Sequence, residues 1–140
     1  MSAMSEHYRE LHRWMSLPHI WGESDCIIVL ADWVLRVRGV DPAEAVRGTY
    51  CDPVSCQQVT GFLRAPVETA GRYLEAVGLT RGNALQIGDV AVIRRRDDPR
   101  WPCGAMWLGD CWGCKGPQGT TTLQPALVEV EAFWGVGYAA

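Results

Sequence analysis

Histidine is scarce and confined: His7, His12 and His19 are the three in this 140-residue chain, and none follows. Any acid-base pair or metal site that needs an imidazole must take it from the first nineteen positions. A basic excess is missing as well. With 13 Lys+Arg against 16 Asp+Glu the net charge is −3, which argues against a dedicated nucleic-acid binder, since such proteins neutralise phosphates with clustered Lys and Arg. The one dense basic run, Arg94-Arg95-Arg96, is followed at once by Asp97-Asp98 and reads as a solvated hairpin loop. No stretch approaches the roughly 18 consecutive apolar residues of a membrane span. The first sixteen residues are polar and helix-periodic, without the apolar run of a signal peptide. The expectation is a protein with no nucleic-acid partner and no membrane span, synthesised in a reducing cytoplasm. Internal repeats and low-complexity tracts are absent too.

What is present suffices for a packed core. Hydrophobic residues make up 48% and charged residues 21%, as in folded domains rather than disordered chains. A chain near this size buries roughly 70% of its unfolded surface without help from disulfides or metals. The sequence predicts one α+β domain over 1–140, divided into an N-terminal helix in 1–20, a helical half in 21–80 and a small antiparallel β-sheet in 84–138. Tyr8, Leu11 and Met15 recur at helical spacing until Pro18 stops the pattern, with His7 and His12 as exposed residues. Ser24 to Arg38 is the best-specified helix. Ser24 is the expected N-cap, Ile27, Leu30, Ala31, Val34 and Leu35 form a core stripe, and Gly39 ends it. Asp41-Pro42-Ala43-Glu44 predicts a short helix to about Arg47, and Pro66 to Val77 a further one. Thr49 to Ala65 has no clear period and is expected to be part helix, part loop. After the Gly88-Asp89 turn, Val90 to Arg94 reads as a strand apolar on both faces, followed by strand candidates at 105–108, 111–114, 120–124 and 132–138.

Cys26 is the first candidate for chemistry. A thiol in the first turn of a helix faces the positive end of the macrodipole, and its backbone amide can contribute to an oxyanion hole. The plain alternative is a small buried hydrophobe.

The segment Trp21-Gly22-Glu23-Ser24-Asp25-Cys26, the long apolar helix behind it, more helical material and then Gly88-Asp89-Val90-Ala91-Val92-Ile93 follow an order that resembles the NlpC-type cell-wall cysteine peptidases, a compact branch of the papain-like fold. More narrowly, the pattern is similar to a small phage and prophage tail protein family of that fold, encoded among the tail-tip genes of long-tailed phages and gene transfer agents. The resemblance runs from about Trp21 to Trp134. It implies Cys26 as nucleophile, Asp25 as its acidic neighbour, Gly88-Asp89 as the entry to the first strand, and a histidine base opening the next strand. That strand aligns with Cys103-Gly104-Ala105-Met106-Trp107-Leu108, and the base position holds Cys103 or Gly104. His19 is then the one imidazole that chain folding could return to Cys26.

A base is worth about 10²–10⁴-fold to a thiol hydrolase. The resemblance therefore implies a structural part of a virion tail tip, held by hub, baseplate or other tail-tip proteins and made in the host cytoplasm, with a peptidase-like fold that lacks a complete catalytic set. The alternative is an active cysteine peptidase or amidase cutting peptidoglycan peptides during genome entry.

A third reading starts from the other cysteines. Cys111-Trp112-Gly113-Cys114 is a Cys-x2-Cys, and Cys51 and Cys56 could complete a tetrathiolate for zinc or an iron-sulfur cluster, making a small zinc-binding or redox module. Residues three apart on a strand point to opposite faces, so that site requires a turn at Trp112-Gly113. No resident cofactor is the simpler expectation. Among the seven tryptophans, Trp101, flanked by Pro99-Arg100 and Pro102, is read as a loop residue and the best candidate for a partner contact.

Overall fold

The computed structural model describes residues 4–140. The chain is α+β: helices α1 (Glu6–Met15), α2 (Cys26–Arg38), α3 (Pro53–Thr60) and α4 (Pro66–Ala76) precede strands β1 (Thr80–Arg81), β2 (Val90–Arg95), β3 (Asp98–Trp107), β4 (Trp112–Gly116), β5 (Gly119–Leu123) and β6 (Val128–Gly135). The strands form one antiparallel sheet in the order β1-β6-β2-β3-β4-β5. Among the described residues no helix is long and apolar enough to cross a membrane.

Strand β2 shows why its sequence is apolar throughout. Val90 and Val92 join the main core with Val29, Leu30, Trp33 and Val34 of α2, while Ala91 and Ile93 join a second cluster with Ala105, Trp112, Cys114 and Leu123. Both sides of the strand are buried, so the polar alternation of a half-exposed strand is lost. Helix α2 is buried on more than one side for a similar reason. Its Ile28 and Ala31 pack against Ala43 and Val46, away from the sheet.

Several local expectations are corrected. The N-cap of α2 is Asp25 rather than Ser24, because the Asp25 carboxylate accepts from the amides of Ile27 and Ile28 while the Ser24 hydroxyl is spent on the Pro18 carbonyl. Residues 42–47 form successive turns instead of a helix. A run this short nucleates poorly, and the Arg47 side chain is drawn to Asp41 and Asp32 while Gly48 N–H bonds the Gly22 carbonyl. His7 is buried and bonds the Tyr138 hydroxyl across 3.1 Å, whereas His12 is exposed as expected. In the stripes, Met15 and Leu35 face solvent, and Trp14 and Trp33 occupy the core.

The sheet half also differs in its limits. Strand β6 begins at Val128, four residues before the expected start, because Val128 and Val130 pair with Arg95 and Ile93 of β2. Strand β3 runs through Pro99, Trp101 and Pro102, so Trp101 belongs to a strand, although its side chain is exposed. Pairing with β4 covers Ala105 to Trp107 alone. The rest of β3 is an edge, where proline costs no ladder bond.

A thiol cluster at the start of helix α2 as candidate active site

The linker before α2 is pinned by its own polar groups. Ser24 Oγ donates to the Pro18 carbonyl and accepts from the Ile20 amide at 3.2 Å. Asp25 is 2% exposed and its carboxylate takes four hydrogen bonds: Ile27 N–H and Ile28 N–H on Oδ1, Gly22 N–H at 2.8 Å and the Tyr50 hydroxyl at 2.7 Å on Oδ2. A buried carboxylate is tolerable only when its lone pairs are satisfied in this way. Tyr50 is held in its phenol form, its pKa raised by burial and by the neighbouring Asp25 charge. Asp25 thus caps the helix and clamps the linker to the segment carrying Tyr50. Its place in the site is to position Cys26, whose thiol it does not bond among the described residues.

Gly22 is required by the same packing. It has φ +83°, and a Cβ there would lie 2.1 Å from the Tyr50 carbonyl oxygen. These contacts present Cys26, partly exposed, as the first residue of α2.

Across from Cys26 stands β3. The Gly104 amide donates to Cys26 Sγ at 3.5 Å, a long bond to a large acceptor. A Cβ on Gly104 would lie 2.5 Å from Leu30 Cδ1 and 3.1 Å from the Cys26 carbonyl oxygen, so glycine lets the strand approach the helix and leaves no room for an imidazole at 104. Cys103, the other residue at the expected base position, does reach the site. Its thiol donates to the Gly104 carbonyl at 3.3 Å, next to the amide that meets Cys26 Sγ, and it packs against the second cluster, which holds Cys114. The bond to Cys114, then that to Cys26, then burial hold Cys103 well above the ordinary thiol range. Cys114 is displaced the other way, chiefly by the hydrogen bond from Cys103 and with help from Arg95.

His19 packs beside Trp21 in the linker before α2. Its ring meets Trp21 edge-on with centroids 5.2 Å apart, and burial lowers its pKa, favouring the neutral form. Among the described residues no hydrogen bond joins a histidine to Cys26. At the expected base position the strand carries a thiol, which cannot shuttle protons near neutral pH as an imidazole does.

The four cysteines considered for a metal are not gathered. Cys51 is exposed on one side of Ser55, and Cys56 is buried against Thr60. Cys111 packs in the main core and Cys114 in the second cluster, on the other face of the sheet. The turn needed at Trp112-Gly113 is replaced by strand β4. No group of three or more His, Cys, Asp or Glu among the described residues is arranged to hold a metal ion.

Sequence reasoning identified Cys26 and the substitution at 103, but not the part played by Cys114 or Tyr50. Strand alternation places Cys103 and Ala105 on one face. The register that brings Cys114 opposite Ala105 is set by tertiary pairing. Tyr50 lies in an aperiodic segment and carried no signal.

No curated protein and no solved structure matches the chain. A family model described as "Domain of unknown function (DUF6950)" matches residues 5–136, nearly the whole sequence, and the chain belongs to that family.

Proposed function

We propose that the protein is a structural component of a phage or phage-like tail tip, built on a papain-like NlpC-type scaffold whose catalytic set is incomplete. The observation that carries this reading is the neighbourhood of Cys26. The thiol sits at the helix start where the resemblance puts a nucleophile, yet the strand that meets it there carries Cys103 and Gly104 and no histidine. The order of elements supports the scaffold: an Asp-Cys pair opens α2, and β2 follows Gly88-Asp89. Trp101, 56% exposed on the free edge of β3, offers an anchor for a hub or baseplate neighbour.

A second reading, an active peptidase or amidase acting on peptidoglycan peptides, is favoured by the accessible Cys26 thiol and the Gly104 amide aimed at it. One experiment separates the two. The gene is deleted from the phage or prophage that encodes it, particles are purified and analysed by mass spectrometry, and infectivity is complemented with the wild type or with Cys26→Ser. The structural reading expects the chain in purified tails at fixed stoichiometry, defective particles on deletion, and full rescue by Cys26→Ser. Rescue by the wild type alone would establish the hydrolase instead, and absence of the chain from particles would overturn the tail-tip assignment.

A further inference from the structure

At the start of α2 the Cys26 thiol meets the backbone of the strand that carries Cys103, a residue with no part in peptide hydrolysis. Cys103 directly precedes Gly104, whose amide lies 3.5 Å from Cys26 Sγ, and it packs against the cluster that holds Cys114. Cys26 is partly exposed and takes the Gly104 amide on its sulfur; Cys114 is buried in the strand cluster behind. The remaining cysteines are differently placed. Cys51 is exposed beside Ser55, Cys56 is buried against Thr60, and Cys111 is buried in the main core. The molecule thus holds one accessible thiol with a second on the strand that meets it, the arrangement from which oxidation proceeds to an internal disulfide.

We propose that Cys26 and Cys103 are a peroxide-reactive pair, in which a hydroperoxide oxidises Cys26 and Cys103 then closes a disulfide with it. In the first step the Cys26 thiolate attacks the outer oxygen of the hydroperoxide. The O–O bond breaks, the sulfur is oxidised by two electrons to a sulfenic acid, and the departing alkoxide or hydroxide takes a proton from water. In the second, the Cys103 sulfur attacks Cys26 Sγ, the S–O bond breaks and hydroxide leaves. The Cys103 proton combines with that hydroxide, which departs as water. Two thiols and one hydroperoxide give one disulfide, one alcohol or water, and one water. Glycine at 104 serves this chemistry as well, since it lets the strand carrying Cys103 close on the helix.

The proposal is independent of the tail-tip assignment and is tested on the purified full chain. The protein, with its six free cysteines, is treated with one equivalent of hydrogen peroxide at neutral pH, blocked with N-ethylmaleimide, digested without reduction and mapped by mass spectrometry. The expected product is a peptide pair joined through Cys26 and Cys103, with Cys26 consumed at least about tenfold faster than the exposed Cys51. In Cys103→Ser the sulfenic acid on Cys26 should persist and be trapped by dimedone, while Cys51→Ser should behave as the wild type. Oxidation that begins at Cys51, or a linkage that omits Cys26, overturns the proposal. Should Cys103→Ser fail to fold, the wild-type map decides alone.

Discussion

The Tyr50 hydroxyl donates to Asp25 Oδ2 across 2.7 Å, joining the residue before the candidate nucleophile to a segment 25 positions away in sequence. The bond is buried, and its acceptor also caps α2, so the orientation of Cys26 depends on a contact that no local pattern encodes. Removing the hydroxyl with Tyr50→Phe leaves Asp25 three amide donors. Loss of a hydrogen bond to a charged group is expected to cost roughly 1.5–3 kcal/mol. Chemical denaturation should show this as a lower midpoint at unchanged slope; a variant as stable as the wild type would mean that the clamp contributes nothing.

Two glycines separate backbone strain from steric contact. Gly22 and Gly39 have φ of +83° and +76°, but a Cβ at Gly22 would meet the Tyr50 carbonyl whereas nothing lies within 4 Å of one at Gly39. Alanine at Gly39 is expected to cost about 1–2 kcal/mol, the penalty for a left-handed conformation. Gly22→Ala carries that penalty and must also displace backbone, so its melting temperature should fall further. Equal losses at the two sites would show that the close approach is relieved by relaxation.

Acid sensitivity should appear in the pairs that bind α1, α2 and the turn after it. Arg13 bridges Glu10 and Asp32, and Arg47 bridges Asp32 and Asp41. Burial acts to raise the Asp41 pKa, but the hydrogen bonds from Arg47 and from Ala43 N–H outweigh it and hold the carboxyl below the usual range. An acid depressed in the folded state adds stability that is fully present above its unfolded pKa and is lost as pH falls through the lower folded value. Thermal melts of the wild type and Asp41→Asn should therefore differ at neutral pH, by about 1 kcal/mol for a partly exposed pair, and converge in acid below the ordinary carboxylate range. A gap that persists there would assign the effect to something other than charge.

Substituting Cys103→His would place an imidazole beside Gly104, whose amide meets Cys26 Sγ. If the scaffold is a peptidase fold short of its base, iodoacetamide should alkylate Cys26 roughly tenfold faster near pH 7 in this variant than in the wild type. The same substitution at Gly104 is expected to unfold or distort the protein, because a Cβ there already crowds Leu30 and the Cys26 carbonyl. Unchanged alkylation in a folded Cys103→His protein would argue that position 103 does not correspond to a base.

The buried Lys115 offers a check on how α1 is held. Its ammonium, on β4, donates to the carbonyls of Trp14 and Leu17, tying the C-terminal end of α1 to the sheet, and burial lowers its pKa. Lys115→Met keeps the aliphatic bulk but strands both carbonyls. A loss of about 1–3 kcal/mol is expected, with hydrogen exchange rising first in residues 6–17; protection unchanged in α1 would place its anchorage in Leu11 and Trp14 alone.

Features that depend on neighbours along the chain were legible in the residues alone. Apolar spacing and Gly39 delimited α2, the Pro66 start delimited α4, and the unbroken Val90-Ala91-Val92-Ile93 run announced a strand buried on both faces. The sequence also showed Cys26 at a helix start and the lack of histidine beyond residue 19. Tertiary structure decided the rest, because the relevant contacts join residues far apart in sequence. Asp25 displaced Ser24 as the cap once Gly22 and Tyr50 shared its carboxylate. The segment 42–47 lost its helix to Arg47 pairing with Asp32. Cys111, just before β4, and Cys114, within it, pack into different clusters. Cys26 met the Cys103-Gly104 segment because a close approach at Gly104 spans 78 positions of chain, a separation over which local propensity carries no information.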